Sequence, residues 1–368
     1  MGYAELTPEA LLSAGFEAPE VTGGAWHVSW DGAAAGLVDR LVPETVAFHT
    51  SGTTGPRRAW WRTREQLWTE AGLLADLLGG AEAPRAVVSF VPPVHIYGAL
   101  ATVLVPARLG VPVWYRSGFF GAMPAVGGRA VVVAATPWIF TLLLQHLDWV
   151  RGFDRVVVLH SSAMLPATAG RFLAEAGADR AEIVEVLGST ETGGIAARRW
   201  AGGEPPPWTL LPDVDLVPAG ADEQAAVPGE VPLVVRSPRL AFGAGERPPA
   251  TRRTGDHVEP VGPRGFRFAG RRDRLVKVNG RRIDLDEVER GIRPLLDAAD
   301  LALAPVADPM IGEHLDLLLV LRPGTTLAGL DLAAAIAAIG VRPRRVRVLP
   351  RIERSPTGKL RAEQPDPL

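Results

Sequence analysis

Three short stretches of this 368-residue chain gather the residue types that bind and move phosphate. Thr50, Ser51, Gly52, Thr53, Thr54 and Gly55 place four hydroxyls and two glycines in six residues. Such a loop can wrap an anion with backbone N–H groups and side-chain hydroxyls together. It lacks the G-x-x-x-x-G-K-[ST] spacing of a Walker A loop, and alone it reads equally as a polar turn between a strand and a helix. Gly188, Ser189, Thr190 and Glu191 offer hydroxyls beside one carboxylate, a hard oxygen donor suited to a divalent cation shared with phosphate. A capped helix start would read the same way. Asp256, in Thr254-Gly255-Asp256, can accept hydrogen bonds from both hydroxyls of a ribose diol, or can sit in an ordinary turn.

The two lysines are the other clue. The chain has 39 Lys plus Arg, of which only Lys277 and Lys359 are lysine, leaving 37 arginines. A lysine that persists against such a bias fits a place where a compact ammonium is needed and a planar guanidinium will not serve. The alternative is two chance survivors on a solvated surface. Lys359 stands in Ser355-Pro356-Thr357-Gly358-Lys359, and Lys277 follows Gly270-Arg271-Arg272-Asp273.

The elements that must hold these residues alternate. Val46–His49, Ala86–Val91, Val111–Tyr115, Ala130–Ala134, Arg155–Leu159 and Ile183–Leu187 are short β-branched runs of the kind that fill a sheet covered on both faces. Between them the spacing predicts helices over 64–78, with Leu67, Ala71, Leu74 and Leu78 on one face, over 97–108 and over 137–147. Strand–helix alternation implies a doubly wound parallel sheet. After Trp200, Gly/Pro-rich turns separate short strands (214–217, 231–235, 265–268), which predicts a small β-subdomain. From 273 onward come a hairpin, a helix over 286–292, a strand over 315–321, a helix over 331–339 stopped by Gly340, and a strand over 345–349. The expected class is therefore α/β: a large domain over 1–272, followed by a small α+β domain over 273–368.

Composition narrows the function. Apolar residues make up 47% and charged residues 22%, which is ordinary globular chemistry. A net charge of −2 gives no reason to expect nucleic acid or an anionic membrane as partner. There is no cysteine, so the chain itself supplies neither thiol nucleophile nor zinc thiolate. The longest apolar run, 130–144, is too short to span a bilayer and the start lacks a signal-peptide pattern. A cytoplasmic protein is the expectation.

In this order and spacing the motifs resemble those of the adenylate-forming superfamily: acyl-CoA synthetases, peptide-synthetase adenylation domains and luciferases. The resemblance runs from Thr50 to Lys359, through T-S-G-T-T-G, G-S-T-E, T-G-D, G-R-x-D and P-T-G-K. His95, Tyr97 and Gly98 are similar to the aromatic gate of that family's acid pocket, and the wording around them looks most like stand-alone acyl- or aryl-acid ligases of bacterial secondary metabolism. The resemblance implies ATP and Mg²⁺ as cofactors and a small carboxylic acid as substrate. Thr50 to Gly55 would hold the β- and γ-phosphates. Gly188, Ser189 and Thr190 would line the nucleotide, with Thr190 and Glu191 organising the α-phosphate and Mg²⁺. Asp256 and Arg271 would bind ribose, and Lys359 would bridge the acid carboxylate and the α-phosphate. Ser161, Ser162 and Ala163, with Leu187 and Gly188, would line the acid and adenine sites. Asp273 would be the hinge of a mobile lid, and Lys277 and Gly280 would face the centre during transfer to a thiol, that of coenzyme A or of a carrier-protein phosphopantetheine.

Three departures from the family pattern stand out. Arg58 replaces the lysine that usually ends the phosphate loop. Leu187 stands where many relatives stack a tyrosine on adenine. Only 49 residues precede Thr50, so a shortened N-terminal subdomain is expected, with the outer wall of the acid pocket supplied from elsewhere, for example by the second subunit of a homodimer. Pro92–Ile96 carries no aspartate to pair with an α-ammonium, which points to an aryl or medium acyl acid. Capture of the adenylate by an amine, a non-carboxylic acid substrate, or a regulator that binds nucleotide without catalysis are the competing readings.

Overall fold

The computed structural model describes residues 2–30, 32–49, 59–79, 83–118, 121–161, 165–218, 229–271, 275–278, 281–308, 312–354 and 360. The five central β-branched runs form parallel neighbours in the spatial order Val113–Arg116, Ala86–Ser89, Ala130–Ala135, Arg155–Ser161, Ala181–Ser189. Their continuous apolar character has a direct cause. Val87, Val132, Val157 and Val184 point into one apolar layer, while their chain neighbours Val88, Val131, Val156 and Ile183 point into the other. Period-two alternation between two buried faces reads as an unbroken hydrophobic run.

Each face is covered by helices; the periodicity predicts those over 64–78, 97–108 and 137–147, but not Ala167–Ala176. Arg64–Leu78 starts with a capping box, in which Gln66 N–H donates to Thr63 Oγ1 at 3.1 Å and Thr63 N–H donates to Gln66 Oε1 at 3.0 Å. The helix expected over 97–108 is a short turn at Ile96–Gly98, a wider π-helical segment over Ala99–Leu104 and an α segment over Val105–Leu109. Pro106 removes one N–H from this stretch, a local reason for the altered bonding. Pro137–Gln145, Leu147–Arg151 and Ala167–Ala176 cover the opposite face.

Two expectations change. Thr45–His49 is not a strand of the central sheet. It pairs antiparallel with Ala59–Thr63 in a separate two-stranded sheet, so the hydroxyl-rich loop joins two strands rather than a strand and a helix. The short strands after Trp200 continue the same sheet: Gly193–Trp200 runs antiparallel beside Ala181–Ser189, followed in space by Trp208–Leu210, Gly265–Arg271, Thr251–Val261, Val231–Arg236 and Asp215–Leu216. At the other edge, Ala25–Val28 adds antiparallel to Val113–Arg116 and pairs in turn with Ala4–Glu5. Among the described residues the sheet has 13 strands.

The C-terminal part has its own apolar core, built from Leu285, Ile292, Leu301, Leu303, Leu315, Leu317, Leu319, Ala335 and Ile339. The sequence reading missed the strand Ala298–Asp308, which pairs along its length with Gly312–Leu321; Arg345–Val348 adds parallel to the latter. Leu332–Ile339 is capped by Asp331, whose side chain accepts from Ala334 N–H at 3.0 Å, and ends at Gly340 with φ 73°. Among the described residues no helix is long and apolar enough to cross a membrane.

Candidate functional site

The strand order reverses at Ala86–Ser89, which has a parallel neighbour on either side whose connections leave in opposite directions. Open α/β sheets bind ligands at the carboxyl ends beside such a switch point. The turn that follows this strand carries His95, Tyr97 and Gly98. Ser89 Oγ and Thr102 Oγ1 lie 2.6 Å apart, Thr102 Oγ1 donates to Val91 O at 2.7 Å, and Val91 N–H donates to Ser89 Oγ at 3.1 Å. This buried triangle fixes the turn that leads to His95, Tyr97 and Gly98. Gly98 packs so tightly that a Cβ there would lie 1.8 Å from the carbonyl oxygen of Pro92. Only glycine permits that approach.

Tyr97 crosses the strand ends. Its hydroxyl donates within reach of Leu159 O at 2.5 Å and Ala135 O at 3.2 Å, and accepts from Ala135 N–H at 3.3 Å. Burial pushes its pKa up, so it stays a neutral phenol. One strand further, Ser161 Oγ donates to Val186 O at 2.8 Å and stitches two strand termini together. His95 is half-buried above this surface, and Ser161 is buried in it.

The Gly188-to-Glu191 motif forms a β-hairpin turn, not a helix start. Ser189 pairs with Gly193, and Gly188 with Gly194. The turn is cross-braced: Ser189 N–H donates to Thr192 Oγ1 at 3.1 Å, Thr192 N–H donates to Ser189 Oγ at 3.2 Å, and Thr192 Oγ1 donates to Gly193 O at 2.9 Å. A Cβ on Gly188 would lie 2.2 Å from Gly193 O, so the two strands meet backbone to backbone. Thr190 and Glu191 project from the tip, each half-buried, with Leu187 half-buried at the base.

Beneath this hairpin lies a charge cluster that the sequence reading missed. Glu70 accepts from Gly194 N–H at 2.6 Å and Arg62 Nη2 at 2.7 Å, and lies 2.9 Å from Arg239 Nη1. Arg239 in turn makes a two-pronged contact with Asp213, at 2.7 and 2.8 Å. Burial works to raise the Glu70 carboxyl, but Arg239, Arg62 and the Gly194 N–H together hold it below the usual carboxylate range. One signal could have found it: Glu70 falls on the apolar face of its helix, between Leu67 and Leu74.

Asp256 is brought to Arg271 as a direct cross-strand neighbour, which makes both strand residues and not turns. Thr254 Oγ1 accepts from Asp256 N–H at 3.1 Å. Lys277 lies in the hairpin Leu275–Val278 and Arg281–Asp284, opposite Arg282. Thr50, Ser51, Gly52, Thr53, Thr54, Gly55, Ser162, Ala163, Asp273, Gly280 and Lys359 lie outside the described residues. The residues that flank the first and last of these are described: His49 pairs with Ala59 across the loop, and Arg354 pairs with Leu360 on either side of Lys359. Arg354 is itself held by both oxygens of Asp300, at 3.0 and 3.1 Å.

Among the described residues no cluster of three or more metal-binding side chains occurs. One carboxylate beside a phosphate site is nevertheless the donor set that suits Mg²⁺, which keeps most of its water and takes phosphate oxygens. Glu191 fits that role.

The sequence pattern of the family described as "AMP-binding enzyme" matches residues 25–241, more than half of the chain. A 4-coumarate–CoA ligase of Rhodobacter capsulatus is 29% identical over 258 residues, covering 69% of this chain and 58% of the relative. A salicylyl-CoA synthase / salicylate adenylyltransferase of a Streptomyces species is 32% identical over 143 residues, covering 36% of this chain and 26% of the relative. The chain thus spans less than two thirds of the length of these relatives. Among solved structures, an anthranilate CoA ligase with bound anthranoyl-AMP superposes with a TM-score of 0.65 at 17% identity, covering 86% of this chain and 65% of that one. The o-succinylbenzoate CoA synthetase of Bacillus subtilis with its acyl-adenylate has a TM-score of 0.65 at 18% identity, covering 88% and 69%. The fold is shared with these ligases, and the chain belongs to the AMP-binding enzymes of the adenylate-forming superfamily.

Proposed function

We propose that the chain activates an aryl carboxylic acid as its acyl adenylate and passes the acyl group to a thiol. The observation that carries this reading is the meeting, at the carboxyl ends of neighbouring strands, of the His95–Gly98 turn, Ser161 and the braced hairpin that presents Thr190 and Glu191. The named relatives are ligases for 4-coumarate and salicylate, and one structural neighbour holds anthranoyl-AMP; each of these acyl groups carries an aromatic ring. The absence of a carboxylate in Pro92–Ile96 also favours an acid without an α-amino group over an amino acid.

The chemical problem is to bring two anions together. A carboxylate oxygen attacks the α-phosphorus of ATP, the bond from that phosphorus to the bridging oxygen of pyrophosphate breaks, and pyrophosphate leaves. Fixed positive charge near the α-phosphate reduces the repulsion, most strongly where water is excluded. Lys359 is the ammonium assigned to this task; Arg354 and Leu360, on either side of its segment, pair with each other. Mg²⁺ on Glu191 would supply further charge neutralisation at the phosphates when bound. Thr50 to Gly55 hold the outer phosphates, and Asp256 and Arg271 the ribose. In-line alignment by these groups supplies much of the remaining acceleration.

Residues 273–368 then act as a lid that turns about Asp273, withdrawing Lys359 and bringing Lys277 and Gly280 to the centre. The sulfur of coenzyme A or of a carrier-protein phosphopantetheine attacks the acyl carbon, losing its proton. The acyl–oxygen bond breaks and AMP leaves. An ATP–pyrophosphate exchange panel tests the first half-reaction. Exchange is expected with 4-coumarate, salicylate or anthranilate. Exchange confined to α-amino acids, or with no acid at all, would overturn the reading.

A further inference from the structure

A cavity of about 310 Å³ lies between the end of the helix Pro8–Ala14 and the strand Thr45–His49. Its walls contain no residue of the His95–Gly98 turn, of the Glu191 hairpin or of the 50–58 loop. It is at the small end of ligand sites, suited to one ring with a head group rather than to a nucleotide.

Local sequence sets the walls. Thr7 caps the helix, its Oγ1 accepting from Ala10 N–H at 3.1 Å, and Gly15 ends it with φ 85°, a left-handed backbone that favours glycine. The chain turns at once and seats Phe16 against Phe48, with ring centroids 6.3 Å apart. Across the hairpin, Ala47 is the direct partner of Trp61. A methyl stands there where a larger side chain would fill the space beside the indole. The Trp61 backbone is anchored: its N–H donates to Phe242 O at 2.8 Å, and its carbonyl accepts from Phe242 N–H at 3.0 Å.

Three aromatic residues, Phe16, Phe48 and Trp61, thus line the cavity together with aliphatic walls such as Leu12 and Val46. One carboxylate joins them. The Glu17 side chain is 57% exposed, with Oε1 3.4 Å from His49 Nδ1. The surroundings have the same sign, since residues 1–49 hold seven carboxylates, no lysine and a single arginine, Arg40. Arg64, which reaches the Val42 wall, is taken up by Val42 O at 2.8 Å and by Asp39 at 2.9 Å. An anion entering here would be repelled by Glu17, and a neutral apolar molecule would leave that carboxylate unused. A cation with an apolar body uses both, because the faces of aromatic rings carry negative potential to which the carboxylate adds.

We propose that this cavity binds a small apolar cation, an amine or quaternary ammonium carried on a single ring or a short aliphatic body. The site is independent of the adenylation reading, and its test does not use catalysis. Benzyltrimethylammonium is the probe and benzyl alcohol its neutral counterpart, each titrated calorimetrically against the full chain. The cation is expected to bind about tenfold more tightly than the alcohol. Glu17→Gln should weaken the cation about threefold, an effect that fades at high salt. Trp61→Leu should weaken it about fivefold, with the alcohol less affected. Ala47→Leu, which fills the space beside Trp61, should abolish binding of both. If Trp61→Leu does not fold, Glu17→Gln and Ala47→Leu, at exposed and half-buried positions, decide the matter. Equal affinity for cation and alcohol, no binding of the cation by the folded wild-type chain, or cation binding that survives Ala47→Leu would each overturn the proposal.

Discussion

The same substitution, glycine to alanine, should have opposite outcomes at two helical positions of this chain. At Gly98 an added Cβ would stand 1.8 Å from Pro92 O and 2.5 Å from Pro92 C, both rigid backbone atoms. Real contacts of this kind stop at about 3 Å, so the Pro92 turn or the start of the following helix must retreat by roughly 1.2 Å. Overpacking of a dense interior costs about 1–3 kcal/mol, and this turn has little slack because Ser89 and Thr102 lock its other side. A shift of about 1 Å in His95 and Tyr97 would reduce acid activation on the order of 10²-fold, since misplacement of that size is what positioned reactions cannot tolerate. At Gly36, on the exposed face of the helix Ala34–Leu41, nothing lies within 4 Å of the added methyl. There alanine should stabilise by about 0.5–1 kcal/mol through helix propensity and a less flexible unfolded chain. Chemical denaturation with ATP–pyrophosphate exchange on both variants is the assay. Wild-type exchange in a folded Gly98→Ala, or a destabilised Gly36→Ala, would refute the packing argument.

Two further outcomes are expected. Lys359→Ala should lower adenylation on the order of 10²–10³-fold, the loss typical of a transition-state donor, while the thermal midpoint stays near wild type; near-normal exchange would show the ammonium to be misassigned. Acidification should unload Glu182, whose carboxyl is raised by partial burial but held below its usual value overall by Arg155 and Arg199. A lowered native pKa means the unfolded chain binds more protons on acidification, so this contribution is present above about pH 4.3 and lost as pH falls through the native value. Melting curves from pH 6 to 3 should therefore converge for wild type and Glu182→Gln at the acid end, and a gap that widens there would contradict the assignment.

Much of this was legible because it is local. The helix over 64–78 follows from its apolar spacing, and the Thr63…Gln66 pair that starts it is a capping box within four residues. The parallel strands announce themselves by β-branched runs, since both faces of each are buried. The strand Ala59–Thr63 was missed because its partner lies across the hydroxyl-rich loop, and Ala298–Asp308 because alanine, leucine and proline there carry no clear period.

By itself the sequence determined the class of fold and singled out residues whose types suit phosphate chemistry, because glycine spacing, hydroxyl runs and hydrophobic period act over a few neighbouring residues. The tertiary structure alone decided that the glutamate motif is a hairpin, that the sheet runs unbroken into its antiparallel half, and that Arg62, Glu70, Arg239 and Asp213 meet under it. Those facts depend on contacts between residues far apart in the chain, such as Glu70 with Arg239, about 170 positions away. A charge on an otherwise apolar helix face hints that some partner must exist, since burial without one is prohibitive; which partner it finds is a property of the folded chain.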